Sequence, residues 1–420
     1  MKQFHMKGNK MLEDLHEGVF AGLSFQWIFV EDTNVRTIHP SALLHSMEVI
    51  MDLTIGDSGL EEFPFQLLPK FRRLKGLSLY GNLLTSVPAL QTDTLEMLDL
   101  SMNNISRLEG NEWATPSLKN FNLSSNSLSS VPALKIDSLE ILDLSRNEIT
   151  RLEVNRLAMP KLMILDLSRN SLASVPAMKM QSLERLNLSL NIWLNRVEED
   201  GWATPNLKSI DLSGNSLTSV PILKIDSLEK LDVGSNDINL WEKNGWGAPR
   251  LKNLCLSWNS LTQVPALKMD SLEILDLGFN KITRLEENGW STPNLKSLYI
   301  SYNPLAMLPS AVIKDLKKLE VFSCEKCNLG PTLPCGFLEF RSNALKTVSL
   351  ILSGISILEP GAITGLKADT GVYLDNNNIT TLDERIFRSI LGVILPGDGI
   401  LSLNGEPLLK KPHIYPHEVS

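Results

Sequence analysis

From Leu74 to Asn303 one arrangement of apolar and polar positions repeats: leucine or a close relative at the first, fourth and sixth places, asparagine at the ninth. In one copy these are Leu95, Leu98, Leu100 and Asn103. Leu98 and Leu100 alternate with Asp99 and Ser101, so the pattern predicts a short strand with leucines on one side and polar groups on the other. The asparagine recurs at Asn82, Asn103, Asn126, Asn147, Asn170, Asn191, Asn215, Asn236, Asn259, Asn280 and Asn303. At each the chain must turn sharply away, and a buried amide there can satisfy backbone groups of neighbouring coils. The expected fold is an α/β solenoid with a curved parallel sheet on its concave face and mostly extended or short helical segments on its convex face.

The steps between these asparagines alternate between 21 and 23 residues, except for 24 from Asn191 to Asn215. The unit is therefore a pair of unlike coils. After Asn126, Asn170, Asn215 and Asn259 comes a compact segment such as Val131-Pro132-Ala133-Leu134, whose proline favours an extended path over a helix. After Asn103, Asn191, Asn236 and Asn280 comes a longer one carrying Trp113, Trp202, Trp246 or Trp290, each three residues before a proline. These tryptophans are expected to fill the wider coil as a buried spine.

Fainter copies extend the array. Upstream they lead to Thr33 and Ser58, and downstream to Cys327, Ser353 and Asn377, with a last degenerate copy at Leu401 and Leu403 before Glu406, Pro407 and Leu408. This makes about 17 coils, with residues 1–24 as an irregular N-terminal segment, 25–408 as one repeat domain and 409–420 as a tail. Terminal coils lose regularity because they lack a neighbour on one side.

Two polar columns run across the repeat. The residue after the first leucine reads Lys75, Glu96, Lys119, Glu140, Met163, Glu184, Lys208, Glu229, Lys252, Glu273 and Lys296, an alternation expected to stitch coils at about the 4.8 Å strand spacing. The residue before the ladder asparagine is polar or small in several coils but becomes Trp258, Phe279 and Tyr302 in three successive ones, with Tyr299 beside them. Exposed, they would form an apolar patch that anchors a protein partner; the alternative is that they tuck into the loop beside the sheet. Arg146 and Arg169 occupy the same column nearer the N-terminus, where they would form a polar rim.

The formal charge of −8 argues against a nucleic-acid groove, and no run of about 18 apolar residues could span a bilayer. Between His45 and His413 there is no histidine, which leaves a Ser/His/Asp or Cys/His hydrolase, or a zinc site, without its usual partner. No nucleophile elbow, phosphate loop or metal-ligand cluster appears, so no catalytic residue, metal or cofactor is expected. Asp99, Asp143, Asp166, Asp211, Asp232 and Asp276 belong to the repeated Leu-Asp-Leu phrase and are read as structural, not as a calcium row. Cys324, Cys327 and Cys335 crowd one coil; either a disulfide forms within the trio or the thiols are free.

These motifs identify the chain as a member of the leucine-rich-repeat superfamily, which implies a concave sheet that recognises proteins. The later coils, including Cys324 to Pro331 and Tyr373 to Phe387, resemble the secreted non-catalytic leucine-rich subunits of arthropod luciferin monooxygenase complexes. That resemblance implies an accessory role, with the chemistry on a separate subunit. The sequence thus predicts a non-enzymatic protein-binding repeat protein, extracellular and receptor-like, matrix or accessory, although Met1 to Leu15 does not read as an export signal. An intracellular scaffold is the alternative.

Overall fold

The computed structural model describes residues 2–110, 112–241, 248–286, 290–305 and 308–407. Two compact units are distinguished: Met1–Ser216 with Pro221–Leu228, and Leu217–Val220 with Glu229–Ser420. Each is a parallel-sheet solenoid. In the first, ten strands from Gln3–Lys7 to Ser209–Asp211 pair in chain order. In the second, eight strands from Lys230–Asp232 to Ile400–Ser402 do the same.

The in-step register follows from the leucine spacing. Leu98, Phe121, Leu142, Leu165 and Leu186 align as direct partners, and all are buried. Slipping one strand by a single residue would turn its leucine to the polar side. Burying each such side chain favours the fold by about 1.5–3 kcal/mol.

The asparagine ladder is continuous within each unit. Asn147 Nδ2 donates to Leu123 O one coil back at 3.0 Å and to Leu144 O in its own coil at 3.1 Å, while its Oδ1 accepts the Leu128 N–H at 3.0 Å. Asn82, Asn103, Asn126, Asn170, Asn191, Asn259, Asn280 and Asn303 repeat this triple connection. Asn236 accepts the Leu217 N–H at 3.0 Å. Asn215 deviates where the step is longer, accepting from the Asn191 N–H at 2.7 Å. All eleven are buried.

Away from the sheet, compact coils run extended and meet in short parallel pairs, such as Ser86–Val87 with Arg107–Leu108 and Gln263–Val264 with Arg284–Leu285. Helix is sparse among the described residues: 3-10 turns at Pro40–Ser46, Phe65–Lys70 and Val154–Leu157, and α-helices at Ser310–Asp315 and Glu384–Ile394. Trp113 and Trp290 are buried as a spine should be. Trp202 is only half-buried and donates its Nε1–H to Glu198 O at 2.6 Å. Trp246 and the tail 409–420 lie outside the described residues.

One expectation needs correction. Residues 1–24 are not irregular, because Gln3–Lys7 is a strand that pairs along its length with Trp27–Glu31, and Asp14–Leu15 pairs with Thr37–Ile38. Phe4 explains it: its ring packs on Phe20 at 4.9 Å and Phe25 at 5.8 Å, so Phe4 and Met6 face inward while Gln3, His5 and Lys7 do not. Five residues of alternation with charged neighbours were too brief to stand out from the leucine pattern.

The alternating charge column forms as expected. Glu96 lies between Lys75 at 2.9 Å and Lys119 at 3.6 Å, and Glu229–Lys252, Glu273–Lys296 and Glu320–Lys346 pair at 2.6–2.9 Å. These pairs are solvent-accessible, so they reinforce register more than stability.

Candidate functional site

The residue before each ladder asparagine adopts left-handed backbone. In the first unit this includes Met102, Ser125, Arg146, Arg169 and Leu190, and in the second Ser235, Trp258, Phe279, Tyr302 and Lys326, with φ between 51° and 59°. The turn out of the strand demands it, and Gly81 and Gly214 hold the place elsewhere with φ of 64° and 67°. For a bulky side chain this conformation costs roughly 1 kcal/mol or more.

The Asp column prepares the same turn. Oδ1 of Asp232 accepts the Gly234 N–H at 3.0 Å and that of Asp276 the Gly278 N–H at 2.9 Å; Asp99, Asp143, Asp166 and Asp211 bond the amide two residues on in the same way. Asn122 and Asn187 substitute for Asp with the same bond. This local bond explains the acidic column without a ligand.

In the second unit the left-handed column carries a stack. The Trp258 and Phe279 rings lie 4.0 Å apart and 7° from parallel, and Phe279 and Tyr302 lie 4.1 Å apart at 11°. Lys326 Nζ closes the far end, 5.3 Å from the Tyr302 centroid. Trp258 is 58% exposed, while Phe279 and Tyr302 are half-buried by their neighbours. The aromatics therefore stand up from the edge of the sheet and do not tuck into the loop.

Tyr299 is not part of the stack. It ends the strand Ser297–Tyr299, in register between Asp276 and Ser323 on the sheet face, and is 36% exposed. With Asp276, Ile274, Cys255, Asn253 and Lys230 it bounds a shallow depression of about 180 Å³. Burial pushes the Cys255 thiol up to about 11, with Asp232 and Asp276 adding to the effect. Burial also lifts the Asp276 carboxyl above its ordinary range. A cation arriving at this face would meet the Asp276 carboxyl partly withdrawn from water, beside Lys230.

Arg146 and Arg169 occupy the column in adjacent coils of the first unit, both exposed. The sequence reading missed Ile192 and Trp193, exposed by 60% and 63%. Their signal was the 24-residue step after Asn191: the extra length holds them on a loop where Leu194 N–H bonds back to Asn191 O at 2.7 Å. Of the cysteines, Cys324 and Cys327 form a disulfide, leaving Cys335 exposed and Cys255 half-buried as thiols. Cys327 stands at a ladder position, its Sγ 3.4 Å from Ile300 O where an asparagine amide would lie.

Leucine ladder, parallel sheet and turn chemistry together make this a leucine-rich-repeat protein. The Leucine Rich Repeat family model matches residues 206–225. Over 115 residues the chain is 28% identical to the Oplophorus-luciferin 2-monooxygenase non-catalytic subunit of Oplophorus gracilirostris, a match covering 27% of this chain and about a third (32%) of that relative. Among solved structures it resembles the Toll–Spatzle complex of Drosophila, with TM-score 0.61 and 16% identity over 97% of this chain and 68% of that one. The functional domain of InlJ from Listeria monocytogenes gives 0.54 and 20% over 81% and 66%. YopM from Yersinia pestis gives 0.52 and 24% over 76% and 88%. At these identities the structural likenesses establish the fold.

Proposed function

We propose that this chain is a non-enzymatic protein-binding module whose partner docks on the sheet face of the second unit and its aromatic edge, with Trp258, Phe279, Tyr302 and Tyr299 as anchors; on the first unit, Arg146 and Arg169 offer a polar contact of their own. The stack carries the reading. Three rings in successive coils keep apolar surface in water at a turn position that other coils fill with Ser, Arg or Gly, and that cost is not recovered in the core. Surface aromatics of this kind are typical energetic centres of protein interfaces. No described helix is long and apolar enough to cross a membrane.

The test is capture from native tissue by the immobilised full chain. Trp258→Ala and Tyr302→Ala are expected to lose the captured protein while Lys161→Ala, at an exposed position of the first unit, retains it. Equal recovery by all three removes the proposed site.

An extracellular accessory subunit is the setting we favour, supported by the non-catalytic relative and by where the Asn-X-Ser/Thr glycosylation triplets, which begin at Asn104, Asn122, Asn187 and Asn378, fall. Asn104 and Asn378 are exposed, whereas Asn122 and Asn187 lie in strands with their amides tied to the following turn. Glycans at Asn104 and Asn378 in native material would support export. Their absence, together with reduced Cys324 and Cys327, would favour the intracellular scaffold.

A further inference from the structure

The aromatic stack is closed at one end and open at the other. Lys326 covers the outer face of Tyr302, so the column itself shows which chemistry terminates it: a cation over a ring. On the opposite side, the coil before Trp258 presents Ser235 in the same left-handed position. A hydroxymethyl group is too short to cover an indole. Phe279 occupies one face of Trp258, yet Trp258 remains 58% exposed, which requires the other face to be open.

Of the nearby carboxylates, Asp232 lies on the Ser235 coil, at the open side of Trp258, and Asp276 on the Phe279 coil, with Lys230 on the same sheet face. Asp232 and Asp276 are the register partners of Cys255 on either side, and Cys255 is three residues before Trp258 on the same coil. The carboxylates thus flank the coil that carries the ring. Each uses Oδ1 for its turn, and burial weakens its contact with water. A planar cation fits both features, since a guanidinium stacks on an aromatic face while its edge N–H groups reach a carboxylate; an ammonium is a compact, strongly hydrated charge and a neutral ring gains nothing from the acids.

We propose that the open face of Trp258, above Ser235, is the seat of an arginine side chain from a basic segment of the protein partner, which extends the Trp258–Phe279–Tyr302–Lys326 stack by one rung. The inference rests on the partner-binding reading and names the chemistry of the occupant.

Fluorescein-labelled hexa-arginine, hexa-lysine and hexa-citrulline are titrated into the full chain at about 0.15 M salt and followed by anisotropy. Hexa-arginine is expected to bind several-fold more tightly than either comparator, and Trp258→Ala to weaken it about five-fold or more. Ser235→Lys supplies an intrachain cation in the relation Lys326 bears to Tyr302, so it is expected to block this seat without removing any ring. Asp232→Asn keeps an acceptor for Gly234 and is expected to weaken binding more than the charge-matched Glu61→Gln, which gauges diffuse attraction to an acidic protein.

Unchanged hexa-arginine affinity in both Trp258→Ala and Ser235→Lys overturns the proposal. Hexa-citrulline binding as tightly as hexa-arginine assigns the seat to neutral planar groups and also overturns it, as does equal weakening by Asp232→Asn and Glu61→Gln. If Trp258→Ala abolishes capture of the native partner while hexa-arginine ignores the ring, partner binding at the stack stands and the guanidinium assignment falls.

Discussion

Glu406 stands to Asn377 as a ladder asparagine stands to the coil before it: its Oε1 accepts the Asn377 N–H at 2.5 Å, and its Oε2 accepts the Ile379 N–H at 2.7 Å. The last described coil thus ends the ladder with an acceptor-only group. Glu406→Ala leaves two backbone donors without their partner, at about 1–3 kcal/mol for each buried group. Amide exchange at Asn377 and Ile379 is expected to accelerate by ten-fold or more while the Lys230–Asp232 strand is unchanged; equal acceleration in both would show that the end coil is not locally held.

Mid-ladder the same logic costs more. Asn147→Ala removes an acceptor from the Leu128 N–H and donors from the Leu123 and Leu144 carbonyls, all buried. A loss of about 2–5 kcal/mol is expected, since unsatisfied buried groups cost more than the bonds contributed. Chemical denaturation measures it, and a loss below about 1 kcal/mol would mean that water replaces the amide.

Asp143 gives a pH signature. Burial, with repulsion from Asp166 and Asp99, holds its carboxyl above the usual range. A raised folded-state value means the native chain holds this proton more tightly than the unfolded one. The stability from this group is complete below the unfolded carboxylate pKa and is lost as pH rises through the higher folded value. Asp143→Asn can accept the Ser145 N–H as Asn122 does that of Ser124. The variant is expected to melt higher than wild type at pH 7 and to converge with it toward pH 3, as scanning calorimetry can check. A lower melting point at pH 7 would contradict the burial argument.

The free thiols should differ in reactivity. With its value pushed up to about 11, Cys255 has little thiolate at neutral pH, whereas Cys335 is exposed. Iodoacetamide at pH 7.5 without reductant is expected to label Cys335 at least ten-fold faster, read by peptide mass spectrometry. Comparable labelling would place Cys255 in a more open setting.

Much of this was legible in the chain. The leucine and asparagine spacing fixes strand, register and turn together, because each buried residue is useful only if the next coil repeats it. The Lys/Glu alternation predicts the observed ion pairs because adjacent coils stack in step. What could not be read was side-chain direction at the turns. Trp258, Phe279 and Tyr302 share a column in the sequence, but stacking rather than insertion depends on their left-handed backbone. Tyr299, three residues before Tyr302, has extended strand backbone and falls on the sheet face instead. Gln3–Lys7 escaped notice because its partners are aromatic packing contacts, not leucines, and Ile192 and Trp193 because one added residue says that a loop bulges but not what it presents.

On the proposed function, the sheet face of the second unit and its aromatic edge hold the partner. Hydrogen–deuterium exchange on the full chain, with and without the protein captured from native tissue, tests it most directly. Slowed exchange is expected in 253–258, 274–279 and 297–302, with 263–264 and 284–285 on the opposite wall unchanged. Protection confined to those opposite-wall pairs, with none around Trp258 and Tyr302, would contradict the account.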